Sequence, residues 1–277
     1  MMALSSALDV ASGYDCLAPY YDRFTAAYAY EPWIAAIEAR ARRLGLKGRQ
    51  VLDLACGTGK STLPWLERGY TVLGCDVSEG MVRQAQAKLP MSRDTFFLAD
   101  MRDLPPLGEF DLIVCLDDAV NYLLSDDELK DTFAGVAQAL APGGIFAFDV
   151  NTLRTYRTSF AEVDFRFEPG LWFEWRGEGA ADVEPGQLSS AAVEISVELE
   201  DGCWERHSMR HVQRHHTIDA VYGALAAAGL EPCASLGQHR GARLEDRVDE
   251  ETHIKIVHFA RRAPSPERRW NMQTIQP

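Results

Sequence analysis

The chain has 277 residues and a formal net charge of −13, from 41 acidic against 28 basic side chains. Hydrophobic residues at 47% and charged residues at 25% are ordinary globular values, which exclude disordered, fibrous and disulfide-scaffold classes. An average surface this acidic repels phosphate backbones and anionic lipid headgroups, so no nucleic-acid or membrane partner is expected, and a neutral or cationic small molecule suits the field better.

The length suits one α/β domain carrying an insertion better than two independent domains. Cys16, Cys56, Cys75, Cys115, Cys203 and Cys233 are widely spaced and form no CxxC pair, a pattern of free, reduced thiols with no metal site. The start MMALSSALDVASGYD lacks the basic and apolar regions of a signal peptide, and no segment could span a bilayer, so the expected location is cytoplasmic.

In chain order, residues 14–44 place aromatic and alanine positions at helical spacing between breaks at Pro19, Pro32 and Gly45, which predicts two or three helices. QVLDLAC at 50–56 reads as a buried strand entering a Gly-Thr-Gly turn and a helix that tolerates Pro64 in its first turn. TVLGCD at 71–76 and TFFLAD at 95–100 are further strands, with Ser78 capping the helix between them. FDLIVCL at 110–116 follows, then a helix opened by the capping box Ser125–Glu128 and running to Pro142-Gly143-Gly144, then the strand IFAFDV at 145–150. Such alternation requires βαβ crossovers, hence a parallel sheet with helices on both faces.

Past residue 152 the strands alternate apolar and polar residues with turns such as Asp201-Gly202, predicting an antiparallel insertion with one wetted face. Trp172, Trp175 and Trp204 on it line a cavity or fill its core. Thr217 caps a helix, PCASLGQ and THIKIVHFARR supply two closing strands, and the tail from Ala263 is expected to be flexible. His207, His211 and His215 would share one side of an extended strand, but at about 13 Å between successive rings they cannot hold one ion. His211 is a candidate base facing substrate.

The chemistry concentrates at the glycine turn. Small residues at the carboxyl end of a parallel strand let a ligand approach the backbone, and Gly57 and Gly59 provide this. Asp76 lies 19 residues past Gly57, where an acid ending the second strand can bind a ribose diol. A dinucleotide fingerprint requires glycine three residues after Gly59, where Thr62 stands, and Asp53 beside the turn would repel a pyrophosphate. An amino group would welcome that acid. Asp117, Asp118 and Asn121 follow the fourth strand at the expected mouth of the site.

DLACGTGKSTLPWLERGYTVLGCDVSEGMV, with ADMRDLP, FDLIVCLDDAVNYL and LAPGGIFAFDV after it, resembles the ordered motifs of class I S-adenosylmethionine-dependent methyltransferases over residues 14–155. The resemblance implies a Rossmann-like fold: a doubly wound, mostly parallel, seven-stranded α/β sheet with an antiparallel β insertion. It implies lid helices at 1–48, a cofactor-binding core at 49–151, the insertion at 152–214 over the substrate pocket, a C-terminal part of the core at 215–262 and a tail at 263–277. S-adenosyl-L-methionine is then the cofactor, held by Asp53, Ala55, Gly57 and Gly59 near its methionine portion, Asp76 and Val77 at the ribose, Met81 against ribose or adenine, Asp100 and Met101 around the adenine, and Leu116 or Asp117 approaching the methionine portion. The start YDxLAPYYD resembles a lid from which Tyr14 or Tyr20 reaches the cofactor.

The second half resembles bacterial methyltransferases of aminosugars and other natural products. It implies N-methylation of an amine-bearing small molecule, with His211, Tyr14, Asp117 and Asn121 as candidate catalytic residues. The alternatives are O-methylation of a hydroxylated or carboxylated metabolite, an NAD(P)-dependent oxidoreductase, and a cofactor-binding protein without turnover. Monomer and homo-oligomer are equally compatible with the sequence.

Overall fold

A computed structural model describes residues 7–263, without the side chains of 7–9 and 91–93; nearly all of the expected tail lies outside the described residues. Helices α1 (Ala7–Leu17), α2 (Tyr21–Phe24) and α3 (Tyr30–Arg43) come first, with a 3-10 turn at Ala18–Tyr20 after α1. The alternating part runs β1 (Gln50–Leu54), α4 (Thr62–Glu67), β2 (Thr71–Asp76), α5 (Glu79–Lys88), β3 (Phe96–Leu98), β4 (Phe110–Cys115), α6 (Asp126–Ala139) and β5 (Leu140–Asn151). After α7 (Leu153–Arg157) come β6 (Val163–Glu168), β7 (Leu171–Gly177), β8 (Leu188–Glu198) and β9 (Trp204–Arg214). The chain closes with α8 (Ile218–Ala227), β10 (Leu230–Gln238), β11 (Leu244–Glu245) and β12 (Lys255–Arg262).

Local chemistry sets the helix starts. Ser78 Oγ accepts the Met81 amide at 3.1 Å, Thr217 Oγ1 accepts the Ala220 amide at 3.1 Å, and Ser125 and Glu128 form the reciprocal box. Pro64 is the third residue of α4, where an amide has no intrahelical partner to lose. Pro142-Gly143-Gly144 falls inside β5 rather than closing α6, because the chain leaves the helix at Ala139 and pairs at once through Leu140 with Phe110.

Strand order in the large sheet is β11-β10-β12-β5-β4-β1-β2-β3. The strands β1 to β5 are parallel, and β12 runs antiparallel between β5 and β10. The eighth strand beyond the expected seven is the two-residue β11 at the edge. Successive residues supply opposite faces, and both faces are apolar. Leu52, Ile113, Phe146 and Phe148 meet Phe133 and Val136 of α6 and Val221 of α8. Val51, Leu112, Ile145 and Phe259 meet Ile34 and Ile37 of α3 and Trp65 of α4. The order reverses between β1 and β4, which opens a crevice at their carboxyl ends.

The insertion is a separate four-stranded antiparallel sheet, β6-β7-β8-β9. Its inner face, Leu171, Phe173, Val193, Ile195 and Met209, packs on Leu17, Tyr20 and Phe24 of the N-terminal helices. Of the three tryptophans expected in a core or cavity, only Trp175 turns inward. Trp172 and Trp204 lie exposed, because among the described residues nothing packs on the other face of this sheet. All six cysteines are unpaired. Among the described residues no helix is long and apolar enough to cross a membrane.

Candidate active site

A cleft of about 670 Å³ opens where β1, β2 and β4 end, lined by Ala55, Gly57, Asp76, Met81, Leu116 and Asp117. Tyr14, Tyr21 and Tyr30 reach it from the N-terminal helices. A second hollow of about 510 Å³ shares Ala55, Asp76, Val77 and Met101 with the first and continues to Asp100, Arg102 and Leu123. The two form one elongated crevice with Asp76 at its centre.

Asp76 Oδ2 accepts the Gly57 amide at 2.8 Å and Oδ1 accepts the Ser78 amide at 2.9 Å. Burial raises its carboxyl to about 6, against the pull of these amides. Gly57 has φ +54°, and Ala55 holds φ +55°, a conformation that costs a non-glycine residue about 1–2 kcal/mol. Gly59 also has a left-handed φ, but a Cβ there would face Ala85 and Phe96 at 3.4 Å, so its bare side meets α5 and β3 rather than the cleft.

Asp53 is buried beneath the turn. Its Oδ2 accepts from Ser61 Oγ at 2.8 Å and Thr62 Oγ1 at 2.6 Å, which gives Thr62 a purpose at the position where a dinucleotide fingerprint has glycine. Its Oδ1 is buried without a partner, and burial raises the carboxyl to about 6. A buried orphan acceptor below a bare backbone turn, with a carboxylate ending the next strand, fits the amino group and ribose of S-adenosylmethionine.

The lid is latched to this floor. Asp15 Oδ1 accepts from Ser78 Oγ at 2.6 Å and from the Gly80 amide at 2.7 Å. A Cβ on Gly80 would lie 3.0 Å from Asp15 Cα, so α1 can approach α5 this closely only over glycine. That contact fixes Tyr14, one residue earlier, over the cleft.

Where β4 ends, Asp117 and Asp118 both adopt left-handed φ, at 64° and 56°. Asp149 of β5 holds them by accepting both amides, at 2.7 and 2.9 Å. Lys255, the first residue of β12, puts its Nζ 2.9 Å from Asp117, 2.7 Å from Asp118 and 2.9 Å from Asp149. Against burial, Lys255 keeps Asp117 below the usual carboxylate range. Burial and the adjacent Asp117 charge push Asp118 up against the pull of Lys255, and burial raises Asp149 to about 6. The three carboxylates drive Lys255 well above its ordinary value despite its burial. Asp117 Oδ2 also accepts from Tyr30 at 2.8 Å.

A chain of hydroxyls runs from the cleft into the insertion. Tyr14 Oη lies 2.8 Å from Tyr122 Oη, which in turn bonds His211 Nδ1. Trp175 packs 5.4 Å from the His211 ring, and burial lowers that imidazole to about 4.

Of the residues singled out from sequence, Tyr14, Ala55, Gly57, Asp76, Val77, Met81, Asp100, Met101, Leu116 and Asp117 line the crevice. Asp53 and Gly59 lie beneath it, and His211 is linked to it through Tyr122. Two expectations need correcting. Tyr20 turns to His207 of the insertion, 5.5 Å away, and Tyr21, seven residues past Tyr14 and so on the same side, takes the place at the cleft. Asn121 is buried away from the cleft, with Nδ2 on the Arg214 carbonyl at 2.8 Å and Oδ1 on the Asn151 amide at 2.9 Å, so it staples β5 to β9. Tyr30 and Lys255 were missed. A lysine interrupting the apolar run IKIVHF was their one visible signal.

This fold, with an acid ending β2 beside a glycine turn, defines a Rossmann-like protein with a site for a nucleoside-bearing cofactor. A family model described as a methyltransferase domain matches residues 51–144. The Bacillus subtilis protein YqeM, named as a methyltransferase, is 40% identical over 222 residues, covering 79% of this chain and 86% of its own. A solved structure of an S-adenosylmethionine-dependent methyltransferase from Clostridium acetobutylicum superposes with a TM-score of 0.74 at 23% identity, covering 88% of this chain and 96% of that one. The dTDP-3-amino-3,4,6-trideoxy-alpha-D-glucopyranose N,N-dimethyltransferase of Streptomyces venezuelae is 34% identical over 95 residues, 34% of this chain and 39% of its own. The chain belongs to the S-adenosylmethionine-dependent methyltransferase family.

Proposed function

We propose that this enzyme methylates the nitrogen of an amine-bearing small molecule in the cytoplasm. The observation that carries the reading is the acid cluster: Asp117, Asp118 and Asp149 share the single ammonium of Lys255, and Asp117 opens directly into the cleft. The resulting negative field draws in a cationic amine and repels a carboxylate acceptor. The Streptomyces venezuelae relative, an aminosugar N,N-dimethyltransferase, supports the same substrate class.

Bound in the crevice, S-adenosylmethionine supplies a methyl group already activated as a sulfonium. What the protein must then do is hold and orient. Asp53, beneath the turn, sets a negative charge under the amino group, Asp76 is the acceptor for a ribose diol, and Asp100 and Met101 flank the adenine end of the crevice. Orienting a nucleophile about 3 Å from the methyl in line with the breaking bond removes several kcal/mol of barrier. An alcohol would also need a base with a pKa near the working pH, whereas His211 is held at about 4. An amine drawn in as its cation has only to give one proton to an acceptor such as the Asp117 carboxylate before attack, and the methylated ammonium releases a second after transfer. His211 therefore serves through Tyr122 to position the Tyr14 hydroxyl, and Asn121 holds the strands that carry this chain of groups. In this reading the lid within 1–48 and the insertion at 152–214 shape the acceptor pocket over the core at 49–151 and 215–262.

The test is incubation with isotope-labelled S-adenosylmethionine and a mixed panel of aminosugar nucleotides, other amines, phenols, sugars and carboxylates, followed by mass detection. An N-methylated product is expected. Transfer to oxygen alone, or to RNA and no small molecule, ends this reading.

A further inference from the structure

The edge of the large sheet remote from the glycine turn carries a second cluster of chemical groups. His239 follows β10, Glu245 lies in β11 and His253 precedes β12 by two residues. None of the three lines the cofactor crevice. Pairing of β10 with β11 sets Gly237 opposite Glu245, and the segment returning to β12 brings His253 beside both.

Glu245 Oε2 lies 3.0 Å from His239 Nε2 and 3.7 Å from His253 Nε2. One ligand atom from each residue falls within 4.8 Å of the other two. A tetrahedral zinc ion with bonds of about 2.0–2.2 Å separates neighbouring ligand atoms by about 3.3 Å, so these atoms are already spaced to surround one.

His253 shows that the cluster is built. Its side chain is 2% exposed, yet Nε2 has no hydrogen-bond partner. Its Nδ1 lies 3.1 Å from the Asp249 carbonyl and 3.0 Å from the Asp249 amide. The Asp249 amide donates to Nδ1, which puts the ring proton on Nε2 facing Glu245; a metal ion at Nε2 would displace that proton and turn an Nδ1–H to the Asp249 carbonyl, the kind of outer backbone acceptor that metal-bound histidines use. The imidazole also lies on bare backbone, since a Cβ on Gly237 would stand 2.4 Å from His253 Cε1. The His239 ring meets it edge-on at 4.5 Å.

We propose that His239, Glu245 and His253 form a three-ligand site for a divalent transition-metal ion, zinc by ligand type, with water completing the coordination. Two imidazoles and a carboxylate suit zinc, whereas magnesium and calcium take oxygen sets. The ion would clip the β10–β11 turn to the segment leading into Lys255. Glu250 on that segment accepts the Leu153 amide at 2.9 Å, so the clip also steadies the start of the insertion.

The experiment titrates the chelator-stripped full chain with zinc, and in parallel with cobalt, following melting temperature, stoichiometry and absorption. One ion per chain is expected, with a rise in melting temperature of about 5 °C or more at free metal a hundredfold above Kd. Cobalt should give visible d–d bands without a thiolate charge-transfer band. His253→Ala should weaken zinc at least about tenfold, and so should His239→Gln, a partly exposed position that keeps the test open if the buried variant fails to fold. No metal-dependent shift, a thiolate band, or unchanged affinity in the folded variants overturns the proposal.

Discussion

The two sheets stand in opposite relation to solvent. The parallel sheet is covered by helices on both faces, and its site residues leave rigid strand ends. Among the described residues the insertion sheet is covered on one face only, by α1 and α2, and leaves Phe165, Phe167 and Trp172 exposed on the other. The cofactor half is thus packed from both sides, and the acceptor half is held through one apolar face and a few polar contacts. Changes in the roof can alter the acceptor pocket without disturbing Asp53 or Asp76.

The largest expected effect falls at the strand ends of the large sheet, beside the cleft. Lys255→Met leaves three buried carboxylates without their cation, which should cost about 3–5 kcal/mol of folding stability. Without Lys255 the folded-state carboxyls titrate higher, so the folded protein holds protons that the unfolded chain gives up, and stability falls as pH rises through those raised values. Urea unfolding should therefore show a smaller deficit at pH 5 than at pH 8. An equal deficit at both would mean that Lys255 does not hold the acids.

Asp76→Ala probes the cofactor half. Loss of hydrogen bonds to a charged group should weaken S-adenosylhomocysteine binding by about 1.5–3 kcal/mol, roughly 10- to 150-fold, by calorimetry. In the parent protein the affinity should fall as pH drops below about 6, where Asp76 and Asp53 take up protons and lose acceptor oxygens. The variant should keep only the part due to Asp53. Unchanged binding in Asp76→Ala would displace the cofactor from this crevice.

The smallest effect belongs to the roof. Tyr14→Phe removes the hydroxyl bonded to Tyr122 and should lower kcat roughly 2- to 12-fold, the value of about 0.5–1.5 kcal/mol for one hydrogen bond. Affinity for S-adenosylhomocysteine should barely move. A larger loss of affinity than of kcat would assign Tyr14 to the cofactor half.

The same contrast explains what could be read beforehand. The parallel sheet was legible because each strand is a short apolar run bounded by glycine or a capping residue, and Asp76 was legible because an acid has no packing reason to end such a run. The roof was less so. Tyr21 sits two helical turns from Tyr14 and shares its side, a spacing that could have singled it out over Tyr20. Asn121 could not have been sorted, because its partners, Asn151 and Arg214, are chosen by tertiary contact. The Lys255 partners lie 106 to 138 residues upstream, and nothing local announces them. His239, Glu245 and His253 likewise meet only through the register of β10 and β11.

The paired left-handed residues Asp117 and Asp118 carry a consequence for engineering. Glycine would relieve about 1–2 kcal/mol of backbone strain at each position, but it would also take a carboxylate from the buried Lys255 ammonium, a loss at least as large. Each glycine would also delete an acid from the cleft mouth. The strained turn is therefore held by its own charges, and relaxing it would weaken the fold and the cleft mouth together.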